Sequence, residues 1–394
     1  MKVCVISFKE CWQEGEGRWV STGGFPLQMA AISSLFDAMT LVVVEVAPRE
    51  GGMPLPPAAE VTPMPLPPGR DTRRKLHMVV HLPHYVRVFC RAMRDADVVH
   101  TPVPGDMPLI AMLCAAGLRK RVLARYGSSW PATAQTTVMN RITKWCMRVL
   151  AGGRNVMVAT GAGSTPPAPR MHWLFATALS AREIPATTSD LDRSPGTPLR
   201  LVYVGRLSEE KGVAVLIDAL QKLRQRRPGL PGRLQVQLVG DGPQRAALEA
   251  SAQAVGCADM VTFAGQQARA AALAALGEAD VCVLPSLTES FCKARLDAML
   301  CGTPVLTTDV GFGREIVGAS GLGAGLRGWV VEPGSAAALA DALETVLESN
   351  HDWPALRRRC RDYVRRHTLE HWTERIGQLC AQQWSLRLEN GKLR

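Results

Sequence analysis

The chain has 394 residues, of which 47% are hydrophobic and 21% charged, a length that suggests two domains and a composition that excludes wholesale disorder. Lys and Arg outnumber Asp and Glu by 46 to 35, a formal charge of +11 that points to an anionic partner, while aromatic residues at 5% are too few for nucleic-acid stacking. The longest apolar stretch, near Pro108–Leu118, falls short of the roughly 18 residues needed to span a bilayer.

The chain opens on MKVCVISFKECW, whose apolar core is too short for a secretory leader and suits a first buried strand, so a cytoplasmic location is expected. Eleven cysteines without a C-x-x-C pair resemble neither a disulfide framework nor a zinc site and read as reduced thiols. Strands are predicted at Val3–Ser7, Thr40–Val46, Asp97–His100, Arg121–Arg125 and Asn155–Ala159. Between them, Pro48–Arg70 is crowded with proline and is expected to be irregular or extended. The basic and apolar segment Arg70–Arg94 reads as a helical surface interrupted at Pro83, with an anionic membrane surface as the functional alternative.

The polar stretch Ala186–Arg200, with Pro195, Gly196 and Pro198, is the expected linker. Strands follow at Arg200–Val204, Gln235–Val239, Met260–Phe263, Val281–Leu284 and Pro304–Thr307. Alternating strands and helices on both sides of the linker predict two doubly wound α/β domains, facing each other across a cleft at the carboxyl ends of their strands. The expected bounds are 1–190 and 199–365, with a last helix over 366–394 returning to the first domain.

Chemistry concentrates in three segments of the second half. In Leu201–Leu220 an apolar strand runs into Gly205-Arg206 and then Lys211-Gly212 before an amphipathic helix, placing two cations and free backbone N–H groups where a diphosphate would fit. In Leu234–Ala250 a strand ends in Gly240-Asp241-Gly242-Pro243, whose small residues let a ligand approach the main chain. A dinucleotide fingerprint fails there because position 245 is Arg, and it fails at Gly161-Ala162-Gly163 because Pro166 stands in the third position. In Asp280–Val317, Glu289 follows a strand and Asp297 lies eight residues on. On one continuous helix that is about 12 Å of rise, beyond a glycosidase carboxylate pair, so the two groups are expected to hold different parts of one extended ligand.

Together these segments resemble the retaining GT-B-fold glycosyltransferases of family four, the group 1 type. The likeness runs through Val204-Gly205-Arg206 with Lys211-Gly212, Val239-Gly240-Asp241-Gly242-Pro243, Pro285-Ser286-Leu287-Thr288-Glu289, Cys301-Gly302-Thr303-Pro304-Val305 and Asp309 to Glu315. The resemblance implies a hexosyltransferase-like enzyme that moves a sugar from a nucleotide diphosphate sugar, a UDP- or GDP-sugar, to an acceptor hydroxyl. It further implies Arg206 and Lys211 on the diphosphate, Glu289 on the sugar and Asp297 on the ribose. Gly205, Gly240, Gly242, Phe291, Cys292 and Lys293 line the implied donor site, with Gly23 and Gly24 from the first half. His100 and Tyr126 are the implied acceptor-side positions.

With two protein cations to neutralise the leaving group, neither a metal nor another cofactor is expected. The implied setting is surface polysaccharide or glycolipid assembly, with a glycan or lipid-linked acceptor, peripheral on the inner face of the cytoplasmic membrane. Departures from the family pattern at Asp297, Cys292, Phe312 and Tyr126 support one alternative, a weakened homologue that binds nucleotide sugar or glycan without turnover.

Overall fold

The computed structural model describes residues 1–394 except 16, 69–70, 129, 131–135, 162–164, 176, 187–189, 290–291 and 349. The chain forms two compact units, Met1–Ser180 with Thr368–Arg394, and Ala181–His367.

The first unit begins with β1 (Lys2–Glu14), β2 (Arg18–Ser21), α1 (Phe25–Ser34), β3 (Ala38–Glu45), β4 (Met53–Pro54) and β5 (Ala59–Pro65). It continues with α2 (Asp71–Val80), α3 (Leu82–Ala92), β6 (Val98–Val103), α4 (Asp106–Gly117), β7 (Arg121–Tyr126), α5 (Val138–Leu150), β8 (Asn155–Thr160) and β9 (Met171–Leu174). Its sheet runs β5-β3-β1-β6-β7-β8-β9, all parallel, and the far half of β1 turns aside to pair antiparallel with β2. Parallel strands buried on both faces read as continuous apolar runs, as Val3–Ile6 and Leu41–Val44 do. Alternation then divides each run between two layers. Cys4, Ile6, Val42 and Val44 join the core beneath α2–α5, while Val3, Val5, Leu41 and Val43 face α1 and the C-terminal helix that carries Trp372 and Ile376.

One expectation is corrected here. The proline-rich Pro48–Arg70 segment contains β5, which pairs with β3 from Met39↔Ala59 to Glu45↔Pro65. β5 is an edge strand, so Pro63 and Pro65 lose no ladder partner on their open side. The break expected at Pro83 falls between α2 and α3, where Pro83 occupies the first turn of the second helix, the position that tolerates a missing N–H.

The second unit holds α6 (Glu183–Ala186), β10 (Leu199–Val204), α7 (Val213–Arg226), β11 (Leu234–Val239), α8 (Arg245–Ala254), β12 (Val261–Gly265) and α9 (Arg269–Glu278). Then follow β13 (Val281–Leu284), α10 (Lys293–Leu300), β14 (Val305–Thr308), α11 (Gly313–Val317), β15 (Gly323–Gly325), β16 (Gly328–Val331), α12 (Ala336–Glu348) and α13 (Trp353–Arg365). The strand order is β12-β11-β10-β13-β14-β16-β15, parallel up to β16. The order reverses between β10 and β13, so the loops leaving these two strands diverge and open the crevice in which doubly wound sheets bind ligands.

The expected linker Ala186–Arg200 lies inside this second unit, with residues 187–189 outside the described set. Arg193 donates to the carbonyls of Glu278 and Ala279 and pairs with buried Asp280 at 3.1 Å, which anchors the polar stretch to the sheet's amino edge. Finally α14 (Leu369–Trp384) and the hairpin β17 (Leu388–Glu389) and β18 (Lys392–Leu393) belong to the first unit.

Candidate active site at the β10–β13 switch

The loop after β10 is built by short-range bonds and by glycines that other loops require. Gly205 N–H donates to Val239, the Tyr203 hydroxyl donates to the Arg206 carbonyl at 2.7 Å, and Leu207 N–H donates to Asp241. A Cβ on Gly240 would lie 1.8 Å from the Gly205 oxygen, and one on Gly242 would lie 2.4 Å from the Leu207 oxygen. These two glycines were expected to admit a ligand; their small size instead admits the neighbouring Gly205–Leu207 loop. Gly161-Ala162-Gly163 lies partly outside the described residues.

Next, Glu209–Lys211 forms a single 3-10 turn, and Gly212 takes a left-handed conformation (φ +67°) before α7 begins. Its missing side chain matters because a Cβ would sit 2.1 Å from the Pro285 oxygen. This contact brings the β13 loop onto the β10 loop, and Leu287 N–H adds a bond to the Glu210 carbonyl at 2.9 Å. Lys211 Nζ then reaches Glu289 and forms an ion pair with it, the lysine a quarter exposed and the glutamate 11% exposed. Arg206 lies exposed on the same loop and makes no ion pair among the described residues. Of the three groups expected to carry the chemistry, two are in contact and the third is five residues from Lys211 along one turn.

Glu289 and Asp297 do not share a helix, as α10 starts at Lys293 and Asp297 is its fifth residue. The 12 Å rise of a continuous helix therefore does not apply. Asp297 pairs with Arg269 of α9 at 3.1 Å, and Arg269 also binds Glu183 at 2.8 Å, so one guanidinium bridges two carboxylates. Cys292 caps α10, only 8% exposed, and burial raises its thiol above the ordinary range. Lys293 is exposed on the first turn, and Phe291 lies outside the described residues.

Sequence reasoning did not single out Arg295, although it holds the site's floor. Fully buried, it donates to Thr307 Oγ1 at 3.1 Å and to the Val310 carbonyl at 3.2 Å, while Thr308 Oγ1 donates to the Ser286 carbonyl. These bonds tie α10, the end of β14 and the β13 loop together. Its only sequence signal is its place between Cys292 and Met299 on a short helix that is buried over most of its length, where a cation is rarely looked for.

The remaining candidates belong to the first unit. Gly23 (φ +71°) and Gly24 form the turn before α1, with Gly23 exposed and open space around it. His100 was expected at a strand end, but β6 continues to Val103 and the imidazole is fully buried, with Nδ1 2.8 Å from the Leu123 carbonyl. Burial pulls its pKa down to about 4, so it is neutral and structural rather than an accessible acceptor contact. Tyr126 does end β7, yet it is fully buried with its ring edge-on to Trp130 at 5.4 Å, which withdraws it from an acceptor too.

The fold as a whole matches solved glycosyltransferase structures. Anabaena HepE in complex with UDP superposes with a TM-score of 0.67 at 17% identity, covering 97% of this chain and 100% of that one. The lipopolysaccharide outer core galactosyltransferase WaaB gives 0.68 at 15% identity, over 97% and 99% of the two chains. These likenesses assign the chain to the GT-B class of α/β folds.

Residues 190–367 match the family model of the glycosyl transferases group 1. Over 174 residues it is 34% identical to the glycogen synthase of Mycobacterium tuberculosis, covering 41% of each protein. It is 38% identical over 167 residues to the D-inositol 3-phosphate glycosyltransferase of Arthrobacter sp., covering 41% of this chain and 37% of the relative. The chain thus spans about two fifths of the curated relatives it matches. Alpha-D-kanosaminyltransferase of Streptomyces kanamyceticus aligns further, 29% identical over 250 residues and 61% of its length. Among the described residues, no helix is long and apolar enough to cross a membrane.

Proposed function

We propose that this protein is a retaining, metal-independent glycosyltransferase that takes a sugar from a nucleotide diphosphate sugar and passes it to an acceptor hydroxyl. The acceptor is a glycan or lipid-linked glycan of surface-polysaccharide or glycolipid assembly, handled in the cytoplasm. The observation that carries the reading is the Lys211–Glu289 ion pair, with Arg206 exposed on the same loop, at the strand-order switch of a segment that matches the glycosyl transferases group 1 model. Support for the donor class comes from HepE, whose structures hold UDP, UDP with glucose, and UDP-glucose.

In this reading the donor diphosphate takes Lys211 from Glu289. As the bond from the anomeric carbon to the diphosphate oxygen breaks, its electron pair leaves with the nucleotide, the acceptor hydroxyl oxygen bonds to the anomeric carbon on the same face, and the hydroxyl proton passes to the departing diphosphate. Arg206 and Lys211 meet that growing negative charge in a partly desolvated crevice, where fixed cations stabilise it most. A charge supplied by the protein makes a divalent ion unnecessary. Released from its pair, Glu289 accepts hydrogen bonds from sugar hydroxyls. Asp297, positioned by Arg269, faces the ribose. Holding donor and acceptor in one geometry also saves the entropy of a two-body encounter.

The test is to mix the protein with UDP-, GDP- and ADP-sugars and an acceptor panel and to measure free nucleotide diphosphate. Release with one donor class, lost in Lys211→Ala, supports the proposal; donor binding by thermal shift without release from any donor overturns it in favour of a binding protein.

A further inference from the structure

Positive charge is dense in residues 71–150, which contain thirteen Lys and Arg against four Asp and no Glu. Eight of these cations, against two Asp, lie on α2, α3, α4 and α5, whereas Arg121 and Arg125 of β7 face Trp384 and Trp372 of the other layer. The same span supplies α2, α3, α4 and α5, all of which contribute to the core on one face of the sheet. Most of the exposed large apolar side chains are found there too: Leu76, Val79, Val80 and Leu82 on α2 and α3, Leu113 and Leu118 at α4, and four on α5.

The helix α5 shows the arrangement most clearly. Thr143, Lys144, Cys146 and Met147 are buried, whereas Val138 (72% exposed), Ile142, Trp145 (62%) and Val149 form a stripe at i, i+4, i+7 and i+11 on the opposite face. The exposed cations beside this stripe are Arg141 and Arg148, and α5 carries no acidic residue. An apolar stripe on a soluble-type helix normally turns inward, and here one with an exposed tryptophan turns outward. A tryptophan between arginines suits a membrane interface, where the indole enters the acyl boundary and the guanidinium groups meet lipid phosphates.

We propose that the outer face of α5, together with the exposed apolar side chains of α2, is a docking surface for an anionic lipid bilayer. The inference moves the contact expected at Arg70–Arg94 largely onto α5, because Arg74 of α2 is already engaged by Asp106 at 3.4 Å and Arg70 lies outside the described residues. Charge complementarity selects the occupant. Two copies of a surface with this charge repel each other, whereas a leaflet of anionic headgroups attracts it. The proposal stands whether or not the protein transfers a sugar.

The test uses the full-length chain and flotation with vesicles of phosphatidylcholine, either alone or with about a third phosphatidylglycerol. Binding is expected only to the anionic vesicles and is expected to weaken steeply at about 0.5 M salt. Ile142→Ser with Trp145→Ser should reduce the partition coefficient at least about tenfold, and Arg141→Gln with Arg148→Gln about fivefold per arginine, with melting temperatures near that of the parent. Quenching by brominated lipid should be smaller in Trp145→Phe than in the parent, a readout that does not depend on how the serine variant folds. No binding to anionic vesicles, or binding that all these substitutions leave intact, overturns the proposal. So does concentration-dependent dimerisation, or binding to an acidic protein partner, that the same substitutions abolish while vesicles are ignored.

Discussion

Lys211 and Glu289 are 78 residues apart in the chain and form an ion pair across two loops of the second unit. Each loop begins at a strand of the β10–β13 pair, so sheet order rather than sequence proximity makes them neighbours. In the proposed reaction this pair is the resting partner of groups that must both turn to the donor.

Replacing either member should therefore separate activity from stability. Lys211→Ala is expected to lower kcat for nucleotide release by about 10²- to 10³-fold, the usual cost of removing a group that stabilises transition-state charge. The pair is partly solvated, so the unfolding free energy should change by no more than about 1 kcal/mol. Stopped assays of nucleotide release alongside urea titrations check both; equal losses of activity and stability would make the pair structural.

Gly212 carries the opposite expectation. A side chain there must adopt a left-handed backbone and share space with the Pro285 carbonyl. Gly212→Ala should destabilise the protein by roughly 2 kcal/mol or more, and Gly240→Ala, which would meet the Gly205 oxygen, by a similar amount. Gly23→Ala faces open space and should cost about 1 kcal/mol, from its backbone conformation alone. Chemical denaturation of the three variants ranks them.

Arg269 offers a KM-against-kcat contrast. If it positions Asp297 for the ribose, Arg269→Ala should raise the donor KM several-fold and leave kcat within about threefold, because the ribose is held alike in ground and transition states. Steady-state kinetics with varied donor measures the split, and a kcat loss with unchanged KM would contradict the assignment.

His100 should leave a mark on acid stability. Its folded pKa lies near 4 because burial penalises the imidazolium, while in the unfolded chain it returns to about 6.5. Unfolding then takes up a proton below that value, so stability is intact above about pH 6.5 and falls as the pH drops toward 4. The loss approaches about 3 kcal/mol at the lower limit. Urea midpoints followed from pH 7 to 4 in the parent and in His100→Gln test this: the variant's slope should be shallower over that window.

Much of the second unit's site was legible in the chain. Glycines and cations that follow apolar strands announce themselves locally, and Val204-Gly205-Arg206 and Pro285–Glu289 sit where strands end. What misled was side-chain environment. His100 reads like a polar residue closing a strand, yet β6 extends three residues beyond it because Thr101, Pro102 and Val103 find parallel partners in Ala124, Arg125 and Tyr126 of β7. Likewise the prolines of β5 argue against a strand until the sheet shows it at an edge. Arg295 and Arg269 carry no motif, and their importance comes wholly from what lies opposite them.

The sequence by itself determined the alternation of strands and helices and the positions of the glycine turns, because period, propensity and backbone freedom are properties of a few adjacent residues. It also set Arg206 and Lys211 just after β10 and Glu289 just after β13. Only the tertiary structure decided that Lys211 meets Glu289, that Arg269 joins Asp297 to Glu183, and that the stripe of α5 faces outward. Those outcomes depend on strand order and on which helix face the sheet covers, and the free energy that settles them comes from contacts between segments far apart in the chain.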